Sequence, residues 1–457
     1  MTDSTTPAPA DTSGLGGHPA GLTTLFLTEL WERFSYYGMR AILVLFMVAP
    51  MAEGGLGFDT VQASSLYGTY TMAVYLLALP GGFIADHWIG ARRAVLLGGL
   101  IMAAGQFVLT MHTLPAFYGG LTMIAIGTGL LKPNISAMVG RLYAPGDPRR
   151  DSGFSLFYMG INVGALMAPL ACGWLAESAT FKAWLAGWGL DPARSWHYGF
   201  GAAGVGMLVG IAVYLSQRGR LAGTEPVSSR KVEDTASSSH GLLTADEWKR
   251  LGAIVILFAF TILFWAAYEQ KGASLNLFAK RLVSTNAFGF EFPASWLQSL
   301  TPLYVILLAP VFAKLWVRLG TRQPSSPQKF ALGLFAIGLA FCLLVPASAL
   351  TAGGKISPFW LVGVYLLDVV GELCLSPVGL STVTKLSPAR FVGLMMGLWF
   401  FATSLGNKLA GFLSGFFVAD DPGRLMRLYG GIAIGLIAGS MLLVLLTPRI
   451  RRWSGEG

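Results

Sequence analysis

Thr28-Glu29-Leu30-Trp31-Glu32-Arg33-Phe34-Ser35-Tyr36-Tyr37-Gly38-Met39-Arg40 lies inside an apolar run that extends from about Leu22 to Pro50. That run is long enough to cross a bilayer, which takes about 20 residues at a rise of 1.5 Å each. Yet it carries four charges. Each ionised side chain at bilayer depth costs roughly 2.5–3.5 kcal/mol on insertion scales. A helix that served only as an anchor would not hold them. Glu29, Glu32, Arg33, Tyr36 and Arg40 recur at i, i+3, i+4, i+7 and i+11, which places them on one helical face. The remaining face is Leu, Phe, Trp and Val and can meet lipid. The charged stripe must therefore face other helices or a watery cavity. Charge at that depth marks function by default; the plainer alternative is a cluster that locks a helix bundle.

Working outward, the whole 457-residue chain has the same character. It is 54% hydrophobic and 12% charged, with a mean hydropathy of +0.60. Soluble domains carry about 25% charged residues, so the composition specifies an all-α polytopic membrane protein. Twelve apolar segments can be counted, near 20–50, 61–86, 94–112, 116–141, 153–176, 197–216, 250–272, 293–318, 329–349, 357–385, 391–419 and 425–447. The even loops are basic. Arg92 and Arg93 follow the second span, Arg141, Arg149 and Arg150 the fourth, Arg218, Arg220, Lys249 and Arg250 the sixth, and Arg318, Arg322 and Lys329 the eighth. The chain ends with Arg449, Arg451 and Arg452. By the positive-inside rule both termini are expected on the cytoplasmic side of the inner membrane.

The expected organisation is a disordered cytoplasmic tail over 1–19, a six-helix bundle over 20–217, a cytoplasmic linker over 218–247, a second six-helix bundle over 248–448 and a basic cytoplasmic tail over 449–457. The opening residues lack the basic region of a signal peptide, so the first span is read as uncleaved. The linker is rich in Ser, Thr and charge and has no apolar run for further helices. The halves echo one another weakly where Pro80 to Arg93 and Pro310 to Arg322 close equivalent spans. Two parallel six-span repeats are one architecture of secondary transporters.

Several function classes are excluded or unsupported. The +9 charge lies in short loops rather than in a basic stretch interleaved with aromatics, so no nucleic-acid partner is expected. The histidines lack zinc-type spacing, so no metal is expected, and no nucleophile–base pattern or phosphate loop points to an enzyme. Cys172, Cys342 and Cys374 all lie in apolar runs and behave as small hydrophobes. Further polar residues at membrane depth are Lys132 beside Pro133, Asn162, Glu269, Asp368 and Glu372. Embedded acids exceed embedded bases, a surplus that suits a proton relay. Arg33 and Lys132 on one half and Glu372 on the other suit a zwitterion, with the bases holding a carboxylate and the acid an ammonium. Tyr36, Tyr37, Tyr67, Trp265 and Trp399 offer apolar walls with polar tips, though ordinary packing explains such rings equally well.

These residues also carry a family resemblance. Glu29-x-x-Glu32-Arg33-Phe34-x-Tyr36-Tyr37 resembles the first-helix signature of the proton-coupled oligopeptide transporters, within the major facilitator superfamily. Phe157-Tyr158-Met159-Gly160-Ile161-Asn162-Val163-Gly164-Ala165 resembles their second signature. Gly81 to Arg93, Leu131-Lys132-Pro133-Asn134, Glu269-Gln270 and Gly371 to Leu380 match the loop after the second helix and the fourth, seventh and tenth helices. The resemblance implies the major facilitator fold and proton-coupled import of di- and tripeptides, with protons as the coupling ion and no other cofactor. It implies that Glu29, Glu32, Arg33 and Glu269 take part in proton coupling, and that Arg33, Tyr36, Tyr37, Arg40, Tyr67, Lys132, Asn162, Trp265, Glu372 and Trp399 contact the peptide. It further implies that Arg40 pairs with Glu269 as a gate, and that Lys132 and Glu372 are gate residues too. The expected partners are peptides, protons and membrane lipid, and the expected state is a monomer. Lys271, Asp368, Thr301 and the absence of an extra helix pair between the halves depart from the family pattern. The rival readings are a nitrate, sugar or drug porter on the same fold, or a non-transporting membrane receptor.

Overall fold

The computed structural model describes residues 11–144, 146–221, 224, 244–287, 289–388 and 391–454. Among them are twelve long helices. In the first half these are α1 (Ala20–Val48), α2 (Thr60–Ile89), α3 (Ala91–Val108), α4 (Leu114–Arg141), α5 (Arg150–Glu177) and α6 (Ser195–Ser216). In the second half they are α7 (Ala245–Tyr268), α8 (Leu300–Leu319), α9 (Ser326–Leu350), α10 (Phe359–Leu386), α11 (Val392–Ser414) and α12 (Pro422–Ser454). The one sheet among the described residues is a two-stranded hairpin, Asn286–Ala287 with Phe290–Glu291.

Local chemistry sets where the helices begin. The Asp59 carboxylate accepts from the Gln62 amide at 2.7 Å and caps α2. Thr244 with Glu247, and Ser325 with Gln328, form reciprocal capping boxes that start α7 and α9. Ten of the spans are long and apolar enough to cross a membrane, so the chain is an integral membrane protein. The remaining two helices are α1, with its four charges, and α11, which carries Asn407 and Lys408. Large apolar side chains such as Val255, Val317, Ile434 and Leu445 are more than half exposed. Such faces are at home against lipid and not against water.

Within the first half α1 packs on α5 and α6, and α3 on α4 and α6. In the second half α9 packs on α10 and α12, and α7 on α11. Between the halves α2 meets α11, α5 meets α8, and α1 meets the helix Ser274–Leu282 that follows α7.

The expected tails need correction. Residues 11–19 are folded onto the start of the bundle rather than disordered. Asp11 accepts from the amide of Ala20, the Leu15 amide donates to Thr23, and Arg149 donates to the carbonyls of Asp11 and Gly17. A short polar segment held by this many hydrogen bonds no longer needs an apolar core to order it. At the other end α12 continues as helix to Ser454 through much of the expected basic tail. The greater part of the expected linker, 222–223 and 225–243, lies outside the described residues, as do 1–10 and 455–457.

Candidate functional site

The stripe on α1 is buried along its length, and each cation in it meets a carboxylate or an aromatic ring. The Arg33 guanidinium Nε lies 2.8 Å from Glu29 Oε1 and 2.5 Å from Glu32 Oε2. The i, i+4 and adjacent spacings make this triad from a single helix. Glu29 Oε2 and Glu32 Oε1 have no hydrogen-bond donor. A buried carboxylate with unused oxygens is a place for a proton, because neutralisation removes the cost of the charge. One turn on, the Arg33 guanidinium lies over the Tyr36 ring, 5.7 Å from its centroid, and Tyr36 meets Tyr37 edge to face.

Arg40 acts across the halves. It forms an ion pair with Glu269, donates to the Tyr67 hydroxyl at 2.6 Å, and lies over the rings of Tyr37 and Tyr67. Tyr67 in turn presses on Gly272, where a Cβ would stand 1.7 Å from its hydroxyl oxygen. Only glycine lets the turn after Glu269 approach so closely. Glu269 itself closes α7 at the start of a tight 3-10 turn, Glu269–Gly272.

The other two expected gate residues lie apart. Lys132 and Glu372 make no ion pair with each other. The Lys132 ammonium lies 4.2 Å from the centre of the Tyr75 ring, and Glu372 accepts a hydrogen bond from the Tyr268 hydroxyl. The physical reason lies in the helices that carry them. α4 and α10 pack principally on helices of their own halves, where Tyr75 meets Lys132 and Tyr268 meets Glu372.

The other expected site residues divide. Asn162 is buried but spends one amide N–H on the Tyr158 carbonyl of its own helix, at 2.9 Å. Trp265 is wedged against Gly406 of α11 with its indole N–H unpartnered. Trp399 packs on Phe258, Phe330 and Gly379 in the second half, as a core side chain. Lys271 and Asp368 prove to be interior. The Lys271 ammonium sits 3.1 Å from the Tyr268 ring centroid, and Asp368 is fully buried with neither oxygen hydrogen-bonded. Tyr268 and Tyr75 were not singled out from the sequence as site residues. Their signals are faint: Tyr268 directly precedes Glu269, and Tyr75 lies eight residues beyond Tyr67, close to the same helical face.

The hydrogen bonds between the halves gather at one end. The Asn276 and Gln298 amides both donate to the Ala41 carbonyl, at 2.8 and 3.2 Å. Trp296 and Ser299 donate to the carbonyls of Leu170 and Leu166. Lys280 pairs with Glu177 at 2.9 Å, and Lys408 donates to Thr69. Gly68 of α2 meets Gly411 of α11 so closely that a Cβ on Gly68 would lie 2.8 Å from the Gly411 Cα. All these residues lie in the half of the bundle remote from Ala20 and Ser454.

Comparison with known proteins places the chain in a family. The POT family model matches residues 92–239 and 227–425. The chain is 39% identical to the peptide transporter YePEPT of Yersinia enterocolitica, over 95% of each chain. It is 34% identical to a di-/tripeptide transporter of Lactococcus lactis subsp. cremoris, over 95% of this chain and 96% of that one. Among solved structures it resembles a peptide transporter POT in complex with alafosfalin, with a TM-score of 0.86 and 38% identity over 97% of each chain. A POT family transporter in complex with 5-aminolevulinic acid gives 0.83 and 31% over 96% of this chain and 98% of that one. The chain therefore belongs to the POT family, and its relatives in these comparisons are transporters, most of them named peptide transporters, and not enzymes.

Proposed function

We propose that the chain imports di- and tripeptides across the cytoplasmic membrane together with protons, by alternating access. The observation that carries this reading is the division of charge between the halves around one set of aromatic rings. Arg33 and Lys132 come from the first half, Glu372 and Tyr268 from the second. A short peptide is a zwitterion that fits between such groups. The membrane-embedded triad Glu29, Glu32 and Arg33 is the proton site, and Glu269 is the carboxylate whose protonation releases Arg40.

In this reading all twelve helices cross the membrane, both termini are cytoplasmic, and residues 20–217 and 248–448 move as two bodies about the midplane. The chain works as a monomer. Peptide and proton enter while the end bearing Arg40 is open and leave at the end bearing the termini. Tyr36, Tyr37, Tyr67 and Asn162 line the peptide path.

Uptake of labelled dialanine into proteoliposomes tests the reading. Accumulation above equilibrium is expected with an inward proton gradient and only equilibration without one. A sugar or nitrate that competes with dialanine, or accumulation indifferent to the gradient, would overturn it.

A further inference from the structure

At the end of the bundle that bears the termini, the first turns of α7 and the last turns of α12 form a cleft away from the central charges. It is about 510 Å³ in volume and is lined by Lys249, Arg449, Arg452 and Trp453. We propose that this cleft binds the phosphate headgroup of an anionic phospholipid.

The charges are arranged for an anion. Among the described residues no carboxylate pairs with Arg449 or Arg452. The Arg449 guanidinium is held over the Trp453 ring, 5.5 Å from its centroid, and Arg452 Nε points at the Pro448 carbonyl at 3.4 Å. Each guanidinium therefore keeps N–H groups for an outside acceptor. Lys249 has a carboxylate at 2.8 Å, that of Asp246, but both side chains are more than half exposed. Such a surface pair is weak and yields to a phosphate that meets three cations at once. Arg250 and Arg451 add charge nearby, against Asp246 and Glu247.

The apolar surroundings make the occupant a lipid rather than a free anion. Leu445, one turn before Arg449, is 77% exposed, and Leu442 and Val444 are half exposed. On α7, Val255 is similarly bare. Cations thus stand at the head of a cleft whose flanks are unpartnered apolar surface, which matches a phosphate joined to acyl chains. Trp248, 63% exposed, and Trp453, resting on Gly252, bracket the same level. Tryptophan favours the membrane–water interface, and basic pockets between spanning helices take anionic headgroups. The site tethers α7 to α12 near Thr244, which caps α7.

Native mass spectrometry of the full chain, released from nanodiscs containing phosphatidylglycerol and phosphatidylcholine, counts the retained lipid. Wild type is expected to keep phosphatidylglycerol. Affinity should fall about fivefold for each cation removed in Lys249→Gln, Arg449→Gln and Arg452→Gln. Arg449→Lys with Arg452→Lys should retain most of the binding. Lys314→Gln with Arg318→Gln, basic residues elsewhere on the same end, should leave it unchanged. If the Gln variants do not fold, the wild-type melting temperature in detergent decides. It should rise with phosphatidylglycerol and not with inorganic phosphate or phosphatidylcholine. Equal lipid retention in the Gln variants and wild type would overturn the proposal. So would inorganic phosphate stabilising as well as the lipid, which would make this a free-anion site.

Discussion

The remote end of the bundle and its middle are fastened differently. Remote from the termini, Arg40 meets Glu269, Lys280 meets Glu177, and Gly68 meets Gly411 with no room for a methyl group. Deeper in the bundle, Lys132 and Glu372 each turn to a tyrosine of their own half. A transporter that alternates must be able to break whichever end is closed. The closed end here holds together by one buried ion pair, a ladder of side-chain to carbonyl bonds and a glycine contact. In the proposed reading the first of these responds to protons, while the glycine contact is shape alone. The comparison teaches that closure has a titratable part and a passive part, and substitutions can separate them.

The largest effect is expected where shape is at stake. Gly68→Leu or Gly411→Leu puts a side chain where the backbones of α2 and α11 touch, so the remote end cannot close. Peptide uptake in proteoliposomes should fall to background while the purified protein remains monodisperse. Normal uptake would show that the glycine contact is not part of the working cycle. Next comes the proton side. Glu29→Gln or Glu32→Gln keeps shape and removes the titratable group, so gradient-driven accumulation should be lost while peptide counterflow persists. If both variants still concentrate peptide, the α1 carboxylates do not couple protons.

Lys132→Gln removes the cation expected to meet the peptide carboxylate. Loss of a charge-assisted contact costs about 1.5–3 kcal/mol, or about one to two decades in affinity. Dialanine and its C-terminal amide should then bind the variant equally, whereas wild type prefers the free acid. A variant that keeps that preference would remove Lys132 from the site.

The smallest effect concerns the folded strap at residues 11–19. Hydrogen bonds from the Ser13 hydroxyl and amide, then from the Ala20 amide, hold the Asp11 carboxyl down at about 2. A depressed carboxyl stabilises the strap above its unfolded value of 3.8, and that contribution fades as pH falls through about 2. Asp11→Asn should raise amide exchange over residues 11–20 at neutral pH and leave transport nearly unchanged. Unaltered exchange would mean that Arg149 holds the strap without Asp11.

The α1 stripe was readable from sequence because helical periodicity alone gathers Glu29, Glu32, Arg33 and Arg40 on one face. The span positions followed from apolar length, and Arg40 with Glu269 from a resemblance that the structure brings into contact. The state of each end was not readable. The same residues must make two sets of contacts, and a sequence does not say which set is occupied. Trp399 could not be assigned from sequence, because an aromatic in a membrane span fills a core as readily as it lines a cavity. Residues 11–19 misled because their order comes from Arg149 and Thr23, distant or polar partners that composition does not reveal. Lys271 and Asp368 were visible as charges, yet only packing shows that both are interior.

The central claim is that Glu269 holds the remote end closed through Arg40 and lets go on protonation. Spin labels at Met51 and Leu350, exposed residues at the remote ends of the two halves, report on that mouth once Cys172, Cys342 and Cys374 are replaced. Double electron–electron resonance should give one short distance for the wild type near neutral pH. Glu269→Gln, which mimics the protonated acid, should shift population to a longer distance at the same pH, and acidification should move the wild type the same way. Identical distance distributions for Glu269→Gln and wild type at every pH would contradict the account.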